Sequence, residues 1–328
     1  MLGAIFAVLS AASFAMANAS VRRGVVSGTP IQAMAVSLPF GLICFLPLAL
    51  FTGELFRLPQ FPVTAALWMA GYGVLHYLYG RYCNFHANAV AGVNLTAPVV
   101  QLQVVVTMVL AVVALHEPCT ALQMIGGALM LAGSLITQRA PARTAAAPVT
   151  PKPDTPSFKP RYLAGYLFAS LAALAYGSSW VIPRFALGDA GPAAGFLGGL
   201  ISYAAAIAVG ALALLFPGVR RNVFSMKREN ARWFASSGVF VAAAQGLFFA
   251  AVTVAPIMLV IPLIQLSLAF RILFSTWLSP THEVVGGLVL AGVVTSIAGA
   301  LMVSVDSALI VGTLAVPEPI ARFLLWSV

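Results

Sequence analysis

Long apolar runs alternate with short polar breaks along this chain, and the runs share a length. A helix needs about 20 apolar residues to cross a bilayer. Ten runs meet that requirement, at roughly 2–21, 29–51, 63–85, 88–115, 119–138, 162–183, 192–216, 231–252, 254–279 and 284–305. Between the fifth and sixth lies QRAPARTAAAPVTPKPDTPSFKPR, whose six prolines and scattered charges suit a flexible linker rather than a packed core. The pattern predicts a five-helix unit over 1–138, a Pro-rich linker over 139–161, a second five-helix unit over 162–305 and a tail over 306–328. In the tail, 307–316 is too short to span, and Pro317-Glu318-Pro319 interrupts its continuation.

Composition turns these runs into a class. With 61% apolar residues, 8% charged residues and a mean hydropathy of +1.00, the chain reads as an all-α polytopic membrane protein. Of the 17 Lys and Arg against 8 Asp and Glu, most fall between or at the ends of the apolar runs and not along one stripe, so they are loop charges and imply no nucleic-acid partner. Cys44, Cys83 and Cys119 follow neither a disulfide framework nor a metal-ligand spacing. The expected partners are the lipid bilayer and a small-molecule substrate, with no metal.

The two units repeat one another. Gly3, Phe6, Ala7, Leu9, Ala11 and Arg22 match Gly165, Phe168, Ala169, Leu171, Ala173 and Arg184 at a constant offset of 162. This repetition also bears on FAMANAS, where Ala17-Asn18-Ala19 resembles a signal-peptidase site. A run that recurs and lacks a basic leading segment is structure, not a removable address. Further along, APVVQL at 97–102 is answered by IPLIQL at 261–266, pairing Pro98 with Pro262 and Gln101 with Gln265. His116-Glu117 and His282-Glu283 each begin E-x8-G-x6-G, giving Glu117, Gly126, Gly133 and Glu283, Gly292, Gly299. A spacing of seven positions puts paired glycines on one helix face, where backbones can approach closely. Glu117 and Glu283 open the spans that follow them, where a helix N-terminus favours negative charge. Together with Pro98 and Pro262, these residues are expected to be structural or gating. An odd number of spans per unit inverts the second relative to the first.

The span order, the repeated P-x-x-Q-L and the E-x8-G-x6-G endings resemble the EamA family of the drug/metabolite transporter superfamily, over about residues 2–305. The resemblance implies ten transmembrane helices as two inverted five-helix repeats around a central cavity. It also implies alternating-access transport of a small metabolite, often outward, with no organic cofactor, from a bacterial inner membrane. A channel-like facilitator is the main alternative. A membrane enzyme is disfavoured, because no acid pair, metal cluster or nucleophile-base spacing lies within the apolar runs.

Polar side chains inside the spans are the candidate chemistry. On a helix turning about 100° per residue, Asn94, Pro98 and Gln101 share one face, while Thr96, Gln103 and Thr107 share nearly the opposite one. Such amides either line a cavity or tie helices together; Gln103 and Thr107 read as ties, Gln101 and Gln265 as lining. Arg81 and Arg271 lie inside apolar runs with no acid nearby in sequence, so each either snorkels or meets a substrate carboxylate or phosphate. His76 and Tyr79, three apart, are expected to face one way, with Tyr72 a turn earlier. In YGSSWVIPR at 176–184, Tyr176 and Trp180 suit an amphipathic metabolite, or Trp180 sits at the lipid interface. Asn18 lies under Trp180 in the repeat, and Gln245 aligns with Arg81; both complete the expected substrate-binding set.

Loops 22–28, 139–161 and 217–230 carry two, five and four Lys or Arg, and all lie on one side of a ten-span topology. Positive-inside bias then puts both termini outside, whereas ten-helix relatives are expected to hold them in the cytoplasm. Sidedness stays open between the two.

Overall fold

The computed structural model describes residues 2–24, 28–91, 96, 99–139, 161–188, 190–267, 269–270, 273–274, 287–304 and 317–327. Its helices are α1 (Leu2–Gly24), α2 (Pro30–Phe51), α3 (Val63–Tyr72), α4 (Arg81–Ala91), α5 (Gln103–Leu115) and α6 (Ala121–Arg139). From residue 162 onward follow α7 (Tyr162–Leu187), α8 (Pro192–Ala213), α9 (Pro217–Phe224), α10 (Arg228–Val252), α11 (Ile257–Ile264) and α12 (Gly287–Ser304), with α13 (Glu318–Leu325) in the tail. No β-strand occurs among the described residues; an isolated bridge joins Thr120 to Ser327 at the tail. Five helices (α1, α2, α7, α8 and α10) are each long and apolar enough to cross a membrane, which makes this an all-α membrane protein.

Local sequence explains the helix starts. Pro30, Pro192 and Pro217 occupy first-turn positions, where a missing N–H costs nothing. Thr29 and Gln32 close a capping box on α2, with the Thr29 hydroxyl accepting from Gln32 N and the Gln32 amide oxygen accepting from Thr29 N.

Three departures from straight helices occur where the sequence alone suggests continuous spans. Between α3 and α4, Gly73–Gly80 is a π-helical segment, so Val63–Ala91 forms one rod with a widened middle. Among its described residues the run 88–115 is not one regular α-helix. It turns at Gln101–Leu102, where Leu102 N bonds Val99 O and Val104 N bonds Gln101 O. Its counterpart 254–279 turns at Gln265–Leu266 through bonds from Gln265 N to Pro262 O and Leu266 N to Leu263 O. Pro262 has no N–H for the Met258 carbonyl, which loosens the helix just before this turn. Pro98 lies outside the described residues.

Packing is reciprocal. α1 lies along α10, with Ala7, Ala11 and Ala15 fully buried and Ser10 Oγ donating to Ala244 O at 2.7 Å. In the same way α7 lies along the α3–α4 rod. The second helices of the two units meet as α2 and α8, where Gly41 leaves room for the Tyr203 ring. The last helices meet as α6 and α12 along their glycines. A Cβ on Gly126 would lie 2.7 Å from the Gly299 carbonyl oxygen, and one on Gly133 would lie 2.5 Å from that of Gly292. No side chain fits between these backbones.

Glu117 fastens the two units elsewhere. The chain leaves α5 through His116, whose φ of 53° places it in the left-handed region. That turn aims the Glu117 carboxylate at α11 of the other unit, where Oε1 accepts from Ile257 N and Oε2 from Met258 N, both at 3.0 Å. The residue thus caps α11, not the helix that follows it in sequence, which corrects the expectation from position alone. Arg184, counted as a loop charge above, brings its Nε to 3.6 Å from the same carboxylate and donates to Val252 O at 3.1 Å. Two bare helix N–H groups and one guanidinium are thereby satisfied by one buried acid.

Two stability measurements on the purified protein test this packing. Gly126→Val should destabilise by about 1–3 kcal/mol through overpacking, whereas Gly71→Val, with open space around its Cβ position, should change the melting temperature little. Glu117→Ala should cost about 3 kcal/mol by stranding Arg184 and the α11 amides. Combined with Arg184→Ala it should cost less than the sum, with a coupling of roughly 0.5–3 kcal/mol; strict additivity would mean the pair is not an interacting unit.

Candidate functional site

The densest polar group inside the bundle is built around His76, in the π segment. Its side chain is buried, and four aromatic rings surround it: Tyr72 stacked at 5.0 Å, Tyr77 at 5.4 Å, and Tyr176 and Trp180 each at 4.9 Å. The hydrogen bonds around it run in one direction. Tyr72 Oη donates to Gln245 Oε1 at 2.8 Å, leaving the Gln245 amide N–H to face His76 Nε2 at 3.4 Å. An amide nitrogen only donates, so His76 Nε2 accepts and its proton sits on Nδ1. Nδ1 then donates to Ser179 Oγ at 2.7 Å, and Ser179 donates to Tyr176 O at 2.8 Å. Every member of this chain is neutral, and each bond fixes the next.

The chain extends sideways through Trp180. Its Nε1 donates to Gln103 Oε1 at 3.4 Å, and Gln103 Nε2 donates to Gln101 Oε1 at 3.3 Å. Gln101 and Gln103 occupy different faces of a straight helix; the turn at Gln101–Leu102 brings their amides together. Gln103, read from sequence as a tie between helices, therefore joins the cluster, while Thr107 donates to Gly177 O at 2.9 Å and ties α5 to α7. Trp180 is buried rather than interfacial, held edge-on between Phe14 at 6.0 Å and Phe248 at 4.5 Å.

Tyr77 links this neutral group to a cation. Its ring stacks on Tyr203 at 4.3 Å, and the Arg81 guanidinium lies 5.9 Å from its centroid. Arg81 is half-buried and turned toward α2, where Nη1 donates to Ser37 Oγ at 3.0 Å. Among the described residues its partners are thus a hydroxyl and an aromatic face, with no carboxylate bonded to it. The Tyr77 and Tyr203 hydroxyls are buried beside one another, and among the described residues neither completes a hydrogen bond of acceptable geometry. A positive group with neutral partners, beside two such hydroxyls, can receive an anion.

Other expected residues lie differently. Tyr79 does not share the His76 face: it is half-exposed, because three residues cover less of a turn in the wider i→i+5 register. Asn18 is exposed and donates to Phe14 O of its own helix at 2.8 Å, apart from the cluster. Gln265 is half-buried at its turn. Asn94, Arg271 and Glu283 lie outside the described residues. Sequence reasoning missed Ser37, Tyr77 and Tyr203, since each belongs to a helix whose face no repeat match marks. Gly41 was the available signal for Tyr203, because a small residue opposite a large one implies a fitted contact.

No curated protein matches the sequence. One solved crystal structure superposes with a TM-score of 0.67 over 92% of this chain and 94% of its own, at 15% identity, so the two share a fold. A model of the EamA-like transporter family matches residues 1–139. Residues 1–139 thus carry the signature of the EamA-like transporter family, which belongs to the drug/metabolite transporter superfamily.

Proposed function

We propose that the protein exports a small polar metabolite bearing a carboxylate, by alternating access between two inverted five-helix repeats in a bacterial inner membrane. The observation that carries the substrate class is Arg81. A guanidinium stays charged at any ordinary pH and is costly inside an apolar span. With Ser37 and the Tyr77 ring as its partners among the described residues, it retains donors for an anion. The aromatic wall of Tyr72, Tyr176 and Trp180 then suits the less polar part of the same molecule.

Three features support the inverted repeat and its motion. Equivalent helices pack reciprocally, α1 on α10 as α7 on the α3–α4 rod. Both units break a helix at equivalent glutamines, and interrupted helices beside a central site recur in secondary transporters. Chain ends also cluster by side: Glu117, Arg184 and Ile257 meet at one end, whereas Arg161 N bonds Val90 O at the other. The His76 chain is enclosed, so a substrate reaches it only if helices part; reciprocal halves allow them to part on either side in turn.

Proteoliposome counterflow tests the carrier itself: labelled substrate should exchange for unlabelled with saturable kinetics, and unsaturable flux would indicate a pore. Arg81→Gln should raise the half-saturating concentration about tenfold to a hundredfold for a carboxylate substrate, the loss of a charge-assisted contact of roughly 1.5–3 kcal/mol. The amide of that substrate should not distinguish variant from parent. Unchanged affinity in correctly inserted Arg81→Gln would remove the case for a carboxylate at this position. Tyr77→Phe and Tyr203→Phe should leave the melting temperature unchanged, since neither hydroxyl completes an internal bond, yet should weaken substrate binding several-fold. Destabilisation without an affinity change would assign both hydroxyls to packing.

A further inference from the structure

A group of exposed basic side chains lies at the end of the bundle, on α9, and bears on binding independently of the transport reading. This helix joins α8 to α10 and follows exposed Leu212, Leu215 and Phe216 at the end of α8. Val219, Asn222 and Val223 are half-buried, while Arg220, Arg221 and Phe224 are exposed. Pro217, Gly218, Arg220, Arg221 and Phe224 line an open groove.

Two hydrogen bonds hold this helix to the rest of the protein. Thr29 Oγ1 donates to Asn222 Oδ1 at 2.7 Å, and Gln32 Nε2 donates to Asn222 O at 2.7 Å. The arginines are thus carried on a fastened element, not a free loop. Among the described residues neither Arg220 nor Arg221 forms an ion pair. Lys227 and Arg228 follow, and within 217–229 Glu229 is the one acid against four cations. An unpaired guanidinium pair selects an anion, and phosphate matches its fork geometry.

The apolar surroundings select among anions. Phe216 and Phe224 are largely exposed, at 68% and 77%, and lie on the segment that joins the ends of α8 and α10, two helices long and apolar enough to cross a membrane. A soluble phosphate makes no use of them; a phosphodiester attached to acyl chains covers both. We propose that the α9 groove binds the headgroup of an anionic phospholipid, its phosphate between Arg220 and Arg221 and its glycerol and upper chains against Phe216 and Phe224.

The test uses the full chain purified in detergent, titrated with dioctanoyl phosphatidylglycerol, dioctanoyl phosphatidylcholine or inorganic phosphate, with bound lipid counted by native mass spectrometry. Phosphatidylglycerol should bind, and binding to Arg220→Gln/Arg221→Gln should be about tenfold weaker or worse. Lys227→Gln/Arg228→Gln removes the same charge outside the groove and should weaken binding less; an equal loss would replace a defined site with general surface attraction. Phe224→Ser should weaken phosphatidylglycerol binding too. Phosphatidylcholine, whose phosphate is neutralised within the headgroup, should bind less well. Inorganic phosphate competing as effectively as the lipid, or undiminished lipid binding by the double glutamine variant, would overturn the proposal. Should that double variant insert poorly, Arg220→Gln and Arg221→Gln alone carry the test, each expected to weaken binding several-fold.

Discussion

Inside a bilayer the backbone has no water to bond, so every place where a helix is interrupted must be repaired by the protein itself. This requirement organises the molecule. α11 begins inside the bundle, and the bare amides of Ile257 and Met258 are met by Glu117. The helices turning at Gln101 and Gln265 replace lost i→i+4 bonds with tighter ones. The rod through Gly73–Gly80 takes the i→i+5 register instead. At each interruption the helical register changes, and that change lets side chains distant on a regular helix converge.

The candidate site is a product of those interruptions. A regular helix through 72–81 would turn Tyr79 toward the site along with His76; the π segment keeps His76 and Tyr77 inside and leaves Tyr79 outside. A straight span through 94–107 would hold Gln101 and Gln103 apart; the turn joins them to Trp180. The result is a neutral hydrogen-bonded network next to a cation whose partners among the described residues are all neutral. Rigid, fully paired polar networks define one arrangement, while groups with spare capacity are where a ligand gains most.

Much of this was legible in the sequence, for identifiable reasons. Hydropathy gave the membrane class because crossing a bilayer imposes a length on apolar runs. Arg81, Gln101, Trp180 and Gln245 stood out because polar side chains are rare in such runs. Periodicity could not reveal the breaks, since it presumes a regular helix; the error at Tyr79 and the separation of Gln101 from Gln103 both follow from that presumption. The role of Glu117 was hidden for another reason. A cap is normally sought on the neighbouring helix, whereas the first N–H donor that Glu117 caps lies 140 residues away.

The glycine contact between α6 and α12 has a consequence for how the protein is made. Gly133 meets Gly292, which follows it by 159 residues (292 minus 133). At ordinary elongation speeds that interval lasts on the order of ten to thirty seconds. Throughout it the first unit is already synthesised, with a close-packing surface of bare backbone and a buried acid that have not met their partners. During biogenesis the young first unit is therefore sticky toward any helix of small residues that passes, including another nascent copy of itself, and the insertion machinery must keep it solitary until the second unit arrives.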